Sequence, residues 1–321
     1  MGYNREDYVR IKAEYSQKYA KARQAADLRC EELYYKIPEV KQIDKLLSST
    51  GSQIMTIIAT GSDVEKKIAA LKEKNDALLI KRNALLAQNG YPEDYSDIKY
   101  QCEKCADSGY VDGKMCECMK KELVMAGYTS SGLGGLIRSQ GFENFSLDFY
   151  KTGGANFELM QRFVTGLKRF ADSFDVNTYK NHLLIGGTGL GKTHISTAVA
   201  KTVIERGFDV MYVTAVGMIS DFESKRFGNG DDAKSTERYY SSDLLIIDDL
   251  GTEVVNQFTL SCLYDVINSR INNRKCTFIN TNLSKKEIEA KYNERITSRL
   301  FGEYYPILFT GLDIRQQKRM K

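Results

Sequence analysis

The segment that most limits what this chain can fold into is Gly186-Gly187-Thr188-Gly189-Leu190-Gly191-Lys192-Thr193. It fits G-x-x-x-x-G-K-T, follows the apolar run His182-Leu183-Leu184-Ile185 and opens a helical pattern from Ile195 to Ile204. A strand, a glycine loop and a helix in that order make an anion cradle. The glycines let backbone N–H groups wrap phosphate oxygens, and the helix N-terminus adds a favourable dipole. Lys192 is placed to reach the β- and γ-phosphates of a nucleoside triphosphate, and Thr193 to hold its Mg²⁺. His194, in the first helical turn, reads as a bystander.

Such a unit needs a sheet around it. From Phe142 onward, short apolar runs alternate with amphipathic helices, the pattern of an α/β domain with a parallel sheet. Strands are expected at 183–186, 209–214, 243–248, 276–281 and 306–310. The run Leu244-Leu245-Ile246-Ile247-Asp248-Asp249 ends in two carboxylates. A buried parallel strand delivers its C-terminal residues to the ligand edge of the sheet, beside the glycine loop. Asp248 is therefore expected to orient a water of the Mg²⁺, and Asp249 to serve as general base for the attacking water. The strand from Cys276 ends in Asn280-Thr281-Asn282, where Asn282 either touches the γ-phosphate or its water, or makes a turn. Arg295, Arg299 and Arg315 lie further on. Arginines beside a nucleotide stabilise charge on the transferring phosphoryl group, yet each of these taken singly reads first as a surface charge.

The order of these motifs resembles the AAA+ ATPases, in particular the bacterial replicative-helicase loaders of the DnaC/DnaI type. The matching pieces are Gly187 to His194, Asp248 to Glu253, Asn280 to Ser284, Arg295 to Leu300 and Gly311 to Arg315, within residues 142–321. The resemblance implies an ATPase with Asn282 as first sensor and Arg315 as second. It also implies self-association through this domain, with Arg299 acting in trans as an arginine finger on a neighbouring subunit's ATP and Arg295 beside it. Two departures stand out. Asp249 occupies a position where many AAA+ proteins have Glu, so slow turnover is expected, with Glu253 four residues on to assist. After the last strand only residues 311–321 remain, too few for the usual helical lid, which predicts a truncated lid and keeps Arg315 close to the core.

Ala215 to Ser242 is too long for one crossover helix and reads as two helices flanking Gly228-Asn229-Gly230-Asp231-Asp232. Loaders and initiators of this family carry an added helix here that faces a central channel. Phe222, Lys225, Arg226, Phe227, Arg238, Tyr239 and Tyr240 offer cations and aromatic faces that suit single-stranded DNA. An elaborated crossover with a solvated charged face accounts for the same residues.

Ahead of this domain the pattern is different. Residues 1–98 read as helix, with Tyr8, Ile11, Tyr15, Tyr19, Ala22, Ala26, Cys30 and Leu33 in one stripe. Pro38 interrupts, a shorter stretch with Ile43, Leu46 and Leu47 follows, and Val64, Leu71, Leu78 and Leu85 then recur every seven residues, supported by Ile68. Asn75 and Arg82 fall where the second position of that seam should be apolar. A self-contained bundle and a partner-binding arm are equal readings. Residues 99–126 form a small cysteine module, and the Gly- and Ser-rich 127–141 suggest a linker. Cys102-x-x-Cys105 and Cys116-x-Cys118 can converge on one tetrahedral Zn²⁺, the second pair sharing a strand face, while Gly109 and Gly113 turn the loop between them. Reduced thiols, a redox pair or an iron–sulfur cluster remain open alternatives. Cys30, Cys262 and Cys276 are isolated and read as buried thiols.

An odd total of seven cysteines, with no apolar leader behind Met1, points to a cytoplasmic, thiol-reducing setting. No apolar run approaches the ~20 residues of a membrane span. A net charge of +4 permits nucleic-acid contact without arguing for it. The expectation is an ATP-dependent loader that grips a hexameric replicative helicase through its N-terminal helices and helps place it on single-stranded DNA. A transposition-helper ATPase of the IstB kind and a non-hydrolysing, ATP-regulated adaptor are the alternatives.

Overall fold

The computed structural model describes residues 3–61, 63–151, 156–175, 177–227 and 236–319. Two compact units emerge: Lys12–Cys118, and Met119–Lys321 together with Met1–Ile11.

In the first unit, α1 (Arg5–Lys36), α2 (Pro38–Ser48), α3 (Thr50–Thr60) and α4 (Val64–Gln88) follow one another. Pro38 starts α2 at a position where its missing N–H costs nothing. One apolar cluster of the unit is Leu33, Ile37, Val40 and Leu86, with Tyr34, Leu85, Tyr91 and Tyr95 packed around them; Tyr15, Ala26, Ile43 and Leu71 are buried as well. The two polar residues on the α4 seam connect it to its neighbours. Asn75 donates to Thr50 Oγ1 at 3.0 Å, and Arg82 pairs with Asp44 at 2.7 Å and donates to Ser96 Oγ at 2.8 Å. The hairpin of β1 (Tyr110–Val111) and β2 (Lys114–Met115) turns through Asp112 and Gly113, both at positive φ, as a two-residue hairpin loop requires.

The second unit opens with α5 (Glu117–Ser130) and α6 (Leu136–Ser139). Segment 127–141, which its composition casts as a linker, is built into the core. Gly127 to Ser130 complete α5, and Leu133 and Ile137 lie in the main apolar cluster. Among its glycines Gly132 serves a close approach: at φ +83°, it lies where a Cβ would stand 2.4 Å from the Tyr212 carbonyl oxygen.

Next come α7 (Phe157–Asp172), β3 (Asn181–Ile185), α8 (Lys192–Glu205), β4 (Val210–Thr214), α9 (Ala215–Phe227), α10 (Arg238–Ser241) and β5 (Leu244–Leu250). They are followed by α11 (Gln257–Asn272), β6 (Cys276–Thr281), α12 (Lys285–Lys291), α13 (Glu294–Glu303), β7 (Tyr304–Leu308) and the short α14 (Ile314–Arg319). The strands make one parallel sheet in the order β4-β5-β6-β3-β7. Because helices cover both faces, the inner strands are almost wholly buried and carry apolar side chains to both sides, with polar residues such as Asp248, Thr277 and Asn280 taken up by internal hydrogen bonds. Leu184, Ile246 and Phe278 face one cluster with Val199 and Phe170, whereas Leu183, Leu245, Ile247 and Ile279 face the other with Leu263 and Ile296.

Arg270 of α11 is fully buried with no carboxylate on it. It donates to the carbonyls of Tyr239, Tyr240, Ser242 and Cys276 and to Thr277 Oγ1, tying α11 to the starts of β5 and β6. No helix among the described residues is long and apolar enough to cross a membrane.

Candidate nucleotide site and cysteine centre

The C-terminal ends of β3, β5 and β6 reach one edge of the sheet, and the polar residues converge there. The loop Gly186–Gly191 joins β3 to α8 and lines a cleft of about 380 Å³. Lys192 is 5% exposed, and its Nζ donates to Gly186 O at 2.6 Å, Gly187 O at 2.8 Å and Asn282 Oδ1 at 2.7 Å. Burial pushes its ammonium down to about 8, against the pull of Asp248 and Asp249. Thr193 donates to Asp248 Oδ2 at 2.9 Å. The register of β5 against β6 shifts between Ile247 and Leu250, so the two carboxylates stand on an irregularity in an otherwise regular strand. Asp249 takes φ +53°, a left-handed conformation that is strained for a residue with a Cβ and typical of functional positions. Burial, and then Asp248 beside it, raise the Asp249 carboxyl above its ordinary range.

The remaining candidates divide. Asn282 lies between Lys192 and Asp249, with its Nδ2 3.5 Å from Asp249 Oδ1. Arg315 lines the same cleft, and the chain entering α14 is held to the glycine loop by Ile314 N–H to Gly189 O at 2.9 Å. Gly189 is required there: at φ +76°, a Cβ would fall 2.0 Å from the Asp313 carboxylate. Arg299 is elsewhere. Its guanidinium donates to Asn268 Oδ1 at 2.7 Å, Tyr264 OH at 2.8 Å and Arg295 O at 3.1 Å on the α11–α13 face. Glu253 is buried and taken up by Gly251 N–H at 2.9 Å and by the Tyr292 hydroxyl, so it is a structural anchor and not a second base. His194 holds Gly141 O at 3.0 Å and meets Phe145 edge-on.

The proposed single-strand face is largely committed inside the protein. Arg238 pairs with Asp209 at 2.6 Å, Tyr239 is 1% exposed and donates to Asp221, and Tyr240 donates to Asp265. Phe222 packs against Tyr239 and Tyr240, and Lys225 donates to Thr236 Oγ1 at 3.0 Å. The cations and rings here brace the crossover. The Gly228–Asp232 loop and the Phe227 side chain lie outside what is described.

Sequence reasoning missed two groups. Leu136, Gln140, Phe145 and Phe149 line the same cleft as the glycine loop. Their only sequence signal is a pair of aromatics four apart ahead of α7. Around Asp248, Tyr212 and Asn280 donate to the carboxylate, Asn280 at 2.9 Å. A tyrosine inside a buried apolar strand was the available hint.

The four cysteines meet in the first unit. Their Sγ atoms all lie within 4.8 Å of one another, with Cys105 and Cys118 3.5 Å apart and Cys102 and Cys116 3.9 Å apart. Tetrahedral thiolates about 2.3 Å from one Zn²⁺ stand roughly 3.8 Å apart, so the set fits a single metal ion. A cluster of several irons seats each thiolate on its own metal and needs a wider set. Cys116 follows β2 and Cys118 sits in the first turn of α5, so the strand–helix junction brings this pair together and not a shared strand face. Asp107 fixes the first knuckle, accepting from Cys102 N at 2.8 Å and Gln101 N at 2.9 Å.

Comparison with known proteins places this geometry. The family described as IstB-like ATP binding protein matches residues 140–300, half of the chain. The replicative helicase loader DnaC of Buchnera aphidicola subsp. Baizongia pistaciae is 23% identical over 172 residues, 53% of this chain and 66% of that protein. DnaC of Escherichia coli K12 is 21% identical over 174 residues, 54% of this chain and 67% of that one. The chain thus spans about two thirds of the length of these relatives. Among solved structures, a crystal structure of the DnaC helicase loader covers 53% of this chain and 98% of its own, at 23% identity and a TM-score of 0.44.

Proposed function

Because the chain belongs to the family of IstB-like ATP binding proteins, we propose that it is an ATP-dependent loader that binds a hexameric replicative helicase and helps place it on single-stranded DNA. One observation carries the reading: two strand ends and a helix start deliver Lys192, Thr193, Asp249 and Asn282 to a single cleft, with Asp248 bonded to Thr193 just beneath it, as Mg²⁺-dependent ATP hydrolysis needs. Lys192 leaves its loop carbonyls for the phosphates, whose negative charge raises its proton affinity again. Bound Mg²⁺ supplies neutralisation of phosphate oxygens, with Thr193 and Asp248 as the residues to hold it and its waters. Asp249, with its raised proton affinity, takes the proton of the attacking water, and Asn282 and Arg315 orient the γ-phosphate. Arg299, away from its own cleft, acts on a neighbouring subunit's ATP. Zn²⁺ on Cys102, Cys105, Cys116 and Cys118 shapes the cysteine module.

The partner is assigned to the helical unit. Met55, Ile58 and Ile80 are 71%, 55% and 72% exposed on α3 and α4, apolar surface suited to a protein partner in the cytoplasm. The curated relatives carry the loader name. The family description favours one second reading, a transposition-helper ATPase.

The test mixes Arg299→Ala with Asp249→Asn. Each alone is expected to bind ATP and lose turnover by ~10³-fold. Together they should recover part of it, because some interfaces pair an intact Asp249 with an intact Arg299. The same assemblies are assayed for ATP-dependent capture of a hexameric replicative helicase. Absence of recovery in a confirmed mixed assembly overturns the trans finger. Capture of a transposase in place of the helicase overturns the loader reading.

A further inference from the structure

We propose that Tyr212 is a positioning residue for the carboxylate of Asp248: its hydroxyl completes the donor set on Asp248, which then acts on the metal through the Thr193 hydroxyl and not as a direct ligand. The proposal rests on the nucleotide-site reading above and deepens it.

Asp248 is 3% exposed, and every acceptor position on its carboxylate is filled from within the chain. Oδ2 accepts the Tyr212 hydroxyl and Thr193 Oγ1–H, the latter at 2.9 Å. Oδ1 accepts Asn280 Nδ2 at 2.9 Å and the Asp249 amide at 3.0 Å. An ionised carboxylate offers about four lone-pair sites, so none is left for a cation unless a donor is displaced. The donors come from β4, α8, β6 and Asp248's own strand, which fixes the carboxylate plane from four directions. Thr193 has one hydroxyl proton, and with that proton on Asp248 its lone pairs face away from the carboxylate. That orientation lets the hydroxyl accept a metal ion. Tyr212 therefore controls a residue it does not touch, by holding the acceptor that sets the Thr193 proton.

Tyr212 is itself seated firmly. Its side chain is buried, and its backbone N–H donates to Ser131 O at 2.7 Å. The Ser131–Gly132 turn thus sets the height of Tyr212 along β4, and the only residue without a Cβ stands where β4's carbonyl comes closest. Removing the hydroxyl leaves the ring, its packing and this backbone contact in place. It frees one position on Asp248 and loosens the Thr193 proton.

The experiment compares wild type, Tyr212→Phe, Asp248→Asn and the double variant in the full chain. Binding of a fluorescent ATP analogue is followed in EDTA and across a series of MgCl₂ concentrations. For Tyr212→Phe, affinity in EDTA should stay within about twofold of wild type, while the Mg²⁺ concentration for half-saturation rises roughly fivefold or more, the loss expected for one hydrogen bond to a charged group. In the Asp248→Asn background, adding Tyr212→Phe should change the Mg²⁺ dependence little, because the two act as a unit. An unchanged Mg²⁺ dependence overturns the proposal. So does equal weakening with and without Mg²⁺, which marks a merely structural tyrosine, and so does additivity in the double variant. If wild type binds no nucleotide in either condition, the nucleotide-site reading itself fails, and this proposal with it.

Discussion

The two units of this protein hold their polar groups in opposite ways. In residues 119–321, two apolar clusters grip the sheet from either side, and polar side chains gather at one edge. That rigidity supports costs that a looser fold would relax: a left-handed Asp249, a buried Lys192 and a carboxylate carrying four donors. In residues 12–118 one apolar cluster centres on Leu33, Ile37, Val40 and Leu86, with Tyr15, Ala26, Ile43 and Leu71 also buried, and polar ties run beside them: Arg82 to Asp44 and Ser96, Asn75 to Thr50, and Arg29 to the Tyr95 and Asp97 carbonyls. The lesson is that apolar burial places the chemistry in one unit, whereas in the other polar pairs and a four-cysteine cluster supplement a smaller set of buried apolar side chains.

Stripping metal gives the largest effect that would sharpen this contrast. Freshly reduced protein should carry one Zn²⁺ per chain by elemental analysis, and Cys105→Ser should lose it. Metal binding is coupled to folding of such modules by on the order of 10 kcal/mol, so a chelator should unfold the 12–118 unit while ATP-analogue binding persists. Loss of both together, or iron in place of zinc, would break the comparison.

Acid probes the other unit. His182, 8% exposed against Phe278 and Phe170, is pushed down to about 4 by burial, from 6.5. The unfolded chain therefore takes up a proton that the folded core refuses. Stability is fully present above about pH 6.5 and is lost as the pH falls from 6.5 towards 4, by up to roughly 3 kcal/mol. Thermal melts of wild type and His182→Phe across that window should diverge, with the variant showing the shallower slope. Parallel slopes would mean that the core accommodates the charge.

Arg82→Ala gives the smallest of the three. Losing the ties to Asp44 and Ser96 should cost about 1–2 kcal/mol in the melting of the helical unit, with nucleotide affinity unchanged. A drop in nucleotide affinity would show that the two units are coupled more tightly than their cores suggest.

Legibility in the sequence follows the same division. The five strands and the glycine loop could be read because a parallel strand covered on both faces is an unbroken apolar run. The reading of residues 1–98 as helix does not set α3 apart, because Thr50 to Thr60 is rich in Thr, Ser and Gly, residues with weak helix propensity. Residues 127–141 resemble a linker by glycine count, while the informative residues were Leu133 and Ile137 between the glycines. Arg238, Tyr239 and Tyr240 look suited to nucleic acid because composition does not reveal which way a side chain faces; only the positions of Asp209, Asp221 and Asp265 decide it. The donors on Asp248 come from three separate strands and a helix, a convergence that no local window contains.

Arg270 has a consequence of its own. A cation held by carbonyl dipoles depends little on the state of a counter-ion: Asp243 and Asp209 act on Arg270 only as secondary charges, and its hydrogen bonds run to carbonyls and hydroxyls. Burial lowers its guanidinium to about 10, which still leaves it charged at neutral pH. In strong brine, where surface ion pairs have faded, this clamp between α11 and the strand starts should persist. The scaffold beneath the nucleotide cleft should then be among the last parts of the molecule to come apart.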